Sequence, residues 1–165
     1  MAQIKKRTPQ QVGRYARSSG HQWERDVVNL WKARFCDRPW AERVRRTDQG
    51  HRAHLCDVHG VPGLWQECGK GAAANPVKKL NQAIEDAKKA GFDQCIPVAV
   101  LRPKRGRYEV WLRLSDLISM TSSRKFRPSS LYVKRTVCLS LSDFMDVYDA
   151  QDLDVLMTQT PLPKE

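Results

Sequence analysis

The sequence has no long apolar run and no regular cysteine pattern, and each absence excludes a class of protein. No apolar stretch reaches the roughly 18 residues that a membrane-spanning helix needs. The basic N-terminus is not followed by the apolar segment of a secretory signal. The five cysteines are odd in number and scattered, which argues against a disulfide framework. We therefore expect reduced thiols in a cytoplasmic protein with no membrane partner.

Acidic side chains are scarce relative to basic ones. The chain has 18 Asp and Glu against 29 Lys and Arg, which gives a formal net charge of +11. The last 25 residues reverse this balance, with six acids and one base. The excess of basic side chains in the rest of the chain predicts an anionic polymer as partner, most often nucleic acid. An anionic membrane is the weaker candidate because no basic amphipathic helix stands out.

The length of 165 residues allows one domain with a substantial core. Residues 1–18 are polar and basic, and they predict a flexible arm that either follows a phosphate backbone or only aids solubility. We place the core domain in residues 19–120 and a C-terminal extension of one strand and one helix in residues 121–148. Residues 149–165 then form an acidic tail.

The hydrophobic pattern predicts an α/β domain with a mixed central sheet flanked by helices, in the order α-β-β-β-α-β-β. Ser18 or Ser19 is expected to cap the first helix, and Asn75 the second. The predicted strands are Glu42–Thr47, Leu55–Val58, Leu64–Trp65, Ile96–Leu101 and Tyr108–Leu114, with Leu131–Leu139 in the extension.

Two acids lie in the stretch Leu55–Lys70, which reads as two short paired strands joined by a tight turn. Asp57 falls in the first apolar run and Glu67 comes just after the second. A buried acid on a strand is costly unless something pairs with it, and Mg²⁺ held by one or two carboxylates is such a partner. The competing interpretation is that Asp57 caps a turn and Glu67 lies at a solvated strand end.

Short motifs follow one another in order along residues 18–120. They are Ser19–Arg25 with its Glu-Arg pair, the basic Val44–Arg46, the Asp-Val-x-Gly-x-Pro of Asp57–Pro62, Glu67–Gly69, Gln82-Ala83, and a hairpin from Pro97–Val100 to Trp111–Leu114. Together they resemble the PD-(D/E)XK nuclease superfamily, most closely Holliday junction resolvases of the archaeal type and their phage relatives. Each motif is short, so the specificity lies in their order and spacing.

This resemblance implies a restriction-endonuclease-like core and a metal-dependent endonuclease that acts on four-way or branched DNA in a bacterial or phage-infected cell. It implies Mg²⁺, or Mn²⁺ in its place, on Asp57 and Glu67, with Glu24 nearby and Lys70 beside the scissile phosphate. Family members act as homodimers, so a homodimer is implied as well. The phosphate-binding candidates are Arg25, Arg45 and Arg46, with Arg105 and Arg107 in a basic turn of the last hairpin.

One departure from the family affects the lysine. The family's lysine position falls on Gly69, and the lysine of this chain is one place later, at Lys70. A shift of one residue on a strand turns a side chain to the opposite face, unless a bulge re-aims it. The alternative function is therefore a catalytically weakened or inactive nuclease-fold protein that binds branched DNA without cutting it.

A second alternative is a structural zinc site. His51, His54, Cys56 and His59 are residue types that bind zinc, with Cys68 as a possible addition, although their spacing is not that of a usual finger or ribbon. The simpler interpretation is a set of loop histidines near DNA or solvent. A nuclease directed at RNA also remains open, because phosphate binding and metal chemistry serve both polymers.

Overall fold

In the computed structural model of the protein, residues 8–47, 56–71, 74–103, 107–121 and 135–149 are described. Within them the helices are α1 (Pro9–Arg34), α2 (Pro76–Lys89), α3 (Leu114–Thr121) and α4 (Leu141–Asp149). The strands are β1 (Arg45–Arg46), β2 (Val58–His59), β3 (Leu64–Lys70), β4 (Ile96–Arg102), β5 (Glu109–Arg113) and β6 (Thr136–Ser140).

The six strands form one mixed sheet in the order β1-β2-β3-β4-β5-β6. The pair β3 and β4 is parallel, since α2 crosses over between them, and the other neighbours are antiparallel. The predicted α/β class, the mixed sheet and the α-β-β-β-α-β-β order are confirmed. No helix in the described part of the chain is both long and apolar enough to cross a membrane.

The first helix begins well before its predicted start. Thr8 caps it, Pro9 takes its first position, and the side chain of Gln11 closes a capping box with Thr8. The predicted start at Ser18 or Ser19 is therefore wrong, and only residues 1–7 of the predicted arm lie outside the described residues. The first half of α1 is exposed and has no apolar stripe, which is why hydrophobic periodicity missed it.

One face of the sheet is covered by α1 and an aromatic cluster. The Trp31 ring packs against Phe35 at 5.4 Å and against Tyr148 of α4 at 5.2 Å between centroids. The Trp31 indole N–H donates to Gln66 Oε1 at 2.8 Å, and the Tyr148 hydroxyl donates to the Pro62 carbonyl at 2.9 Å. The strand and helix predicted as a C-terminal extension, β6 and α4, thus belong to the same sheet and the same core.

The other face of β3 and β4 is covered by α2, which buries Leu80, Ala83 and Ala87. Because side chains alternate along a strand, β3 serves both layers. Its residues Leu64, Gln66 and Cys68 face α1, whereas Trp65, Glu67 and Gly69 face α2.

The predicted strand Glu42–Thr47 is only partly a strand. Ala41–Arg43 form a 3₁₀ turn and β1 has two residues. The turn buries Trp40 and Val44 in the core, so tertiary packing overrides the strand pattern. In the last strand the described residues begin at 135, so residues 131–134 of the predicted Leu131–Leu139 lie outside them.

Candidate active site

Asp57 is fixed by the two strands on either side of it. Its backbone N–H donates to the Gln66 carbonyl at 2.9 Å, and its carbonyl accepts from the Thr47 N–H at 3.1 Å. The carboxylate oxygen Oδ2 accepts from the Cys68 N–H at 2.8 Å. Since Val58 pairs with Gln66 in the antiparallel register, Asp57 lies across from Glu67. The hairpin therefore brings the two predicted acids next to each other.

Glu67 is a buried carboxylate, with 2 % of its surface exposed. Its Oε2 accepts from Gln82 Nε2 at 3.1 Å and lies 3.4 Å from Lys79 Nζ. Burial, and next the negative charge of Asp57, raise the pKa of Glu67 to about 8, against the lowering effect of Lys79. A buried carboxylate in this state would be stabilised by additional positive charge.

Lys79 joins the two acids. Its ammonium nitrogen lies 3.4 Å from Glu67 Oε2 and 3.9 Å from Asp57 Oδ2. Two carboxylates ten positions apart thus face a single cationic atom. The sequence did not single out Lys79 as a residue of this site.

Glu24 lies on α1, on the other side of β3, and is 8 % exposed. Its Oε2 is 3.4 Å from Arg46 Nη1. Burial and the charge of Asp57 raise the pKa of Glu24, while Arg46 opposes the shift. Burial, Asp57 and Glu24 also raise the pKa of the Cys68 thiol, so this neutral side chain lies among the acids. Glu24 therefore interacts electrostatically with Asp57.

Lys70 lies on the opposite face of β3 from Glu67. The pairing of β3 with β4 is one-to-one from Leu64 with Ile96 to Lys70 with Arg102, so the strand has no bulge there. Lys70 is exposed and follows Cys68 in the alternation, on the opposite face from Glu67. The bulge that sequence analysis required for Lys70 is absent from this part of the described strand.

Gly69, where the resemblance led us to expect a lysine, is crowded by neighbouring side chains. A Cβ built on it would lie 2.6 Å from Leu101 Cδ2 and 3.2 Å from the Cβ of Ala74. The next nearest atom is Cγ of Lys79, at 3.6 Å. The stem of Lys79 therefore runs past the point where a side chain of residue 69 would begin. Sequence analysis missed Lys79 and the contact that Gln82 makes; their shared helix face, at a spacing of three residues, is the signal that was available.

The predicted phosphate-binding arginines are spread over several elements. Arg25 is exposed on α1, where its guanidinium donates to Gln22 Oε1 at 2.9 Å. Arg45 is exposed on β1, and Arg46 is half-buried beside Glu24. Arg107 is exposed just before β5, and Arg105 lies outside the described residues.

Two of the four zinc candidates, His51 and His54, also lie outside the described residues. Burial raises the pKa of Cys56 to about 12, and its thiol donates to the Val58 carbonyl at 3.2 Å. Burial, with a smaller contribution from Arg45, lowers the pKa of His59. Among the described residues no group of three or more His, Cys, Asp or Glu side chains is arranged to hold a metal ion. The zinc site stays a prediction.

The donor chemistry at Asp57 and Glu67 fits Mg²⁺ better than zinc. Both side chains offer hard carboxylate oxygens, which Mg²⁺ prefers, and it is usually held by one or two carboxylates together with substrate phosphates. The two carboxylates already face one positive charge, that of Lys79. A divalent cation at this position would compensate the buried charge of Glu67 more fully than the ammonium does.

No model of a protein family matches the chain, and no curated protein matches it. Among solved structures, the chain is similar to Hjc, a Holliday junction resolvase from the archaeal hyperthermophile Archaeoglobus fulgidus. The two are 17 % identical, the match covers 83 % of this chain and 99 % of that chain, and the TM-score is 0.37. This similarity is too weak to assign the chain to a family.

Proposed function

We propose that this protein is a metal-dependent endonuclease that hydrolyses phosphodiester bonds in structured or branched DNA. The observation that carries the proposal is the convergence of Asp57 and Glu67 on one cationic atom, at 3.9 and 3.4 Å. A buried carboxylate with a perturbed pKa, such as Glu67, is more common at functional sites than elsewhere in a fold. The net charge of +11 supports an anionic polymer as the substrate.

Asp57 and Glu67 are the residues that would hold Mg²⁺, or Mn²⁺ in its place. The ion supplies Lewis acidity toward the phosphate and lowers the pKa of a bound water. Glu24 acts nearby, directly or through a water, and its carboxylate is held by Arg46 at 3.4 Å. In the net reaction one water oxygen bonds to phosphorus and the bond to the leaving sugar oxygen breaks. The leaving oxygen takes one proton of the water, and the other goes to the new phosphate or to solvent.

Arginines at the surface of the site hold the flanking phosphates. Arg25 on α1 and Arg45 on β1 are exposed, and each lies next in sequence to a residue of the Glu24–Arg46 pair. Such contacts position the backbone of a nucleic acid and carry little sequence information. A branched substrate and a homodimer, whose two sites would cut two strands, are parts of this proposal that rest on the motif resemblance alone.

The alternative is a nuclease-fold protein that binds branched DNA without cutting it. The exposed Lys70, turned away from Glu67, is the observation that favours it. The two candidates differ in product formation and not in affinity, so a cleavage assay separates them.

The test uses a labelled four-way junction with Mg²⁺ or Mn²⁺, and flap, linear duplex and RNA substrates in parallel. We expect cleavage by the wild-type protein, and a loss of at least about 100-fold in Asp57→Asn and in Glu67→Gln. Glu85→Gln is the matched control, since Glu85 is an exposed acid on α2. Tight junction binding without product under either metal would overturn the enzyme and support the binder. Preferential cleavage of RNA would redirect the proposal to an RNA nuclease.

A further inference from the structure

Resting on the proposed function, we propose that Lys79 of α2 is the catalytic lysine of this site and that it replaces the strand lysine that is missing at Gly69. In this arrangement the ammonium group of Lys79 reaches Asp57 and Glu67 from α2, the helix that connects β3 to β4. Lys70 has no part in the reaction.

Steric contacts disfavour a lysine at position 69. A side chain on Gly69 would begin 2.6 Å from Leu101 Cδ2 and 3.2 Å from the Cβ of Ala74, so a lysine could enter there only if its neighbours moved. Leu101 is itself buried in β4, at 3 % exposure, so moving its side chain would disturb the packing there. A lysine at position 69 would therefore require a shift of Leu101, whereas Lys79 reaches the acids without one.

The side chain of Lys79 runs past Gly69 toward the two acids. Its Cγ lies 3.6 Å from the point where the Cβ of residue 69 would be, and its ammonium lies 3.4 Å from Glu67 Oε2. The aliphatic part of the Lys79 side chain thus occupies the space above Gly69, and its ammonium group lies beside both acids. Because Gly69 has no side chain, the side chain of Lys79 can pass over it to reach the acids.

Helix α2, which carries Lys79, is held in place by its N-cap and by its packed face. Asn75 caps its N-terminus, accepting from the Lys78 N–H at 3.0 Å, and Pro76 takes the first helical position. Leu80 and Ala83 then bury the helix against the sheet. Lys79 is therefore carried by a helix held at both its cap and its packed face, and its side chain is partly exposed.

Lys79 has two roles that can be separated by experiment. With no metal bound, its ammonium is the positive charge that faces the carboxyl groups of Asp57 and Glu67. With substrate bound, the same cation stabilises negative charge that develops on the phosphate in the transition state. The first role makes it a competitor of the divalent cation, and the second makes it necessary for cleavage.

The decisive variant is Lys79→Met, which keeps the length of the apolar stem and removes the charge. We expect junction cleavage with Mg²⁺ to fall by about 100-fold or more, as when one stabilising donor is removed from a transition state. We expect Mn²⁺ binding to the DNA-free protein, measured by calorimetry, to tighten by about two- to fivefold, because the competing charge of a partly exposed pair is gone. A merely structural role of Lys79 would not tighten metal binding.

Three comparison variants complete the design. Lys78→Met removes the exposed neighbouring charge on the same helix and is expected to cleave and bind Mn²⁺ as the wild type does. Lys70→Met is expected to cleave within about threefold of the wild type, since its side chain is on the opposite face. Lys79→Arg keeps the charge and is expected to recover part of the activity, although a guanidinium is not equivalent to an ammonium. Urea unfolding of each variant shows whether it is folded.

Two kinds of failure are distinguishable. If the wild-type protein cuts the junction and Lys79→Met cuts it equally well, or if Lys70→Met alone loses cleavage, the inference about Lys79 is overturned and the nuclease stands. A Lys79→Met protein that binds Mn²⁺ more weakly than the wild type also overturns it, because Lys79 would then support the metal site and not compete with it. If the wild-type protein cuts nothing, both the proposed function and the inference fall.

Discussion

The substitution Glu67→Gln tests the electrostatics of the acid pair without requiring any activity. Glutamine has nearly the same shape as the protonated acid, and Gln82 can still donate to its side-chain oxygen. Glu67 is 2 % exposed and its pKa is raised from 4.5 to about 8, by burial first and by Asp57 second. The variant therefore removes a buried ionisable group while the packing is kept.

The sign follows from proton linkage. Between pH 4.5 and about 8 the folded protein holds a proton on Glu67 that the unfolded chain has lost. The free energy of unfolding of the wild type therefore falls as the pH rises through this window, at up to about 1.4 kcal/mol per pH unit for this group. In Glu67→Gln that contribution is absent, so the variant gains stability relative to the wild type as the pH rises. The total difference across the window is on the order of a few kcal/mol.

The measurement is urea unfolding of both proteins in EDTA at pH 5, 6, 7, 8 and 9. We expect the stability difference to grow steadily from pH 5 to pH 8 and to level off above it. Glu85→Gln, an exposed acid on the same helix as Gln82, is expected to show no such trend. A stability difference between wild type and Glu67→Gln that does not change with pH would refute the view that Glu67 is a buried, destabilised carboxylate.

Three further predictions concern the frame of the site. Gly60→Ala should lower the free energy of unfolding by at least about 1 kcal/mol in urea unfolding, since φ is +93° there and a Cβ would clash with the backbone carbonyl of Arg43. Gly13→Ala, in open space on α1, should not be destabilising in the same assay. Tyr148→Phe should cost about 1–3 kcal/mol in thermal and urea unfolding because it leaves the buried Pro62 carbonyl without its donor, and an unchanged stability would contradict this. Arg45→Ala should weaken DNA binding and reduce the slope of log affinity against log salt by about 1, and an unchanged slope would remove Arg45 from the phosphate contacts.

The order of the elements was predictable because each depends on local features. Asn75 and Pro76 mark the start of α2 in any context, and the apolar runs around β2 and β3 are joined by a turn too short to allow other pairings. The start of α1 was missed for the opposite reason. Its first turns are held by a capping box at Thr8 and not by a buried face, so hydrophobic periodicity contains no trace of them.

By itself, the sequence determined that Asp57 and Glu67 belong to a short hairpin, while a turn-capping Asp57 and a solvated Glu67 stayed open as the alternative. It could not determine which cation meets the two acids. Lys70 comes only three positions after Glu67 along the chain, yet strand alternation turns its side chain to the opposite face, whereas Lys79 reaches the acids from the crossover helix. Only the packing of α2 over β3, to which the buried Leu80 and Ala83 contribute, places that ammonium beside the two carboxylates. Long-range packing of this kind depends on how a whole layer of side chains fits together, and the shared helix face of Lys79 and Gln82 does not by itself say which strand residues it meets.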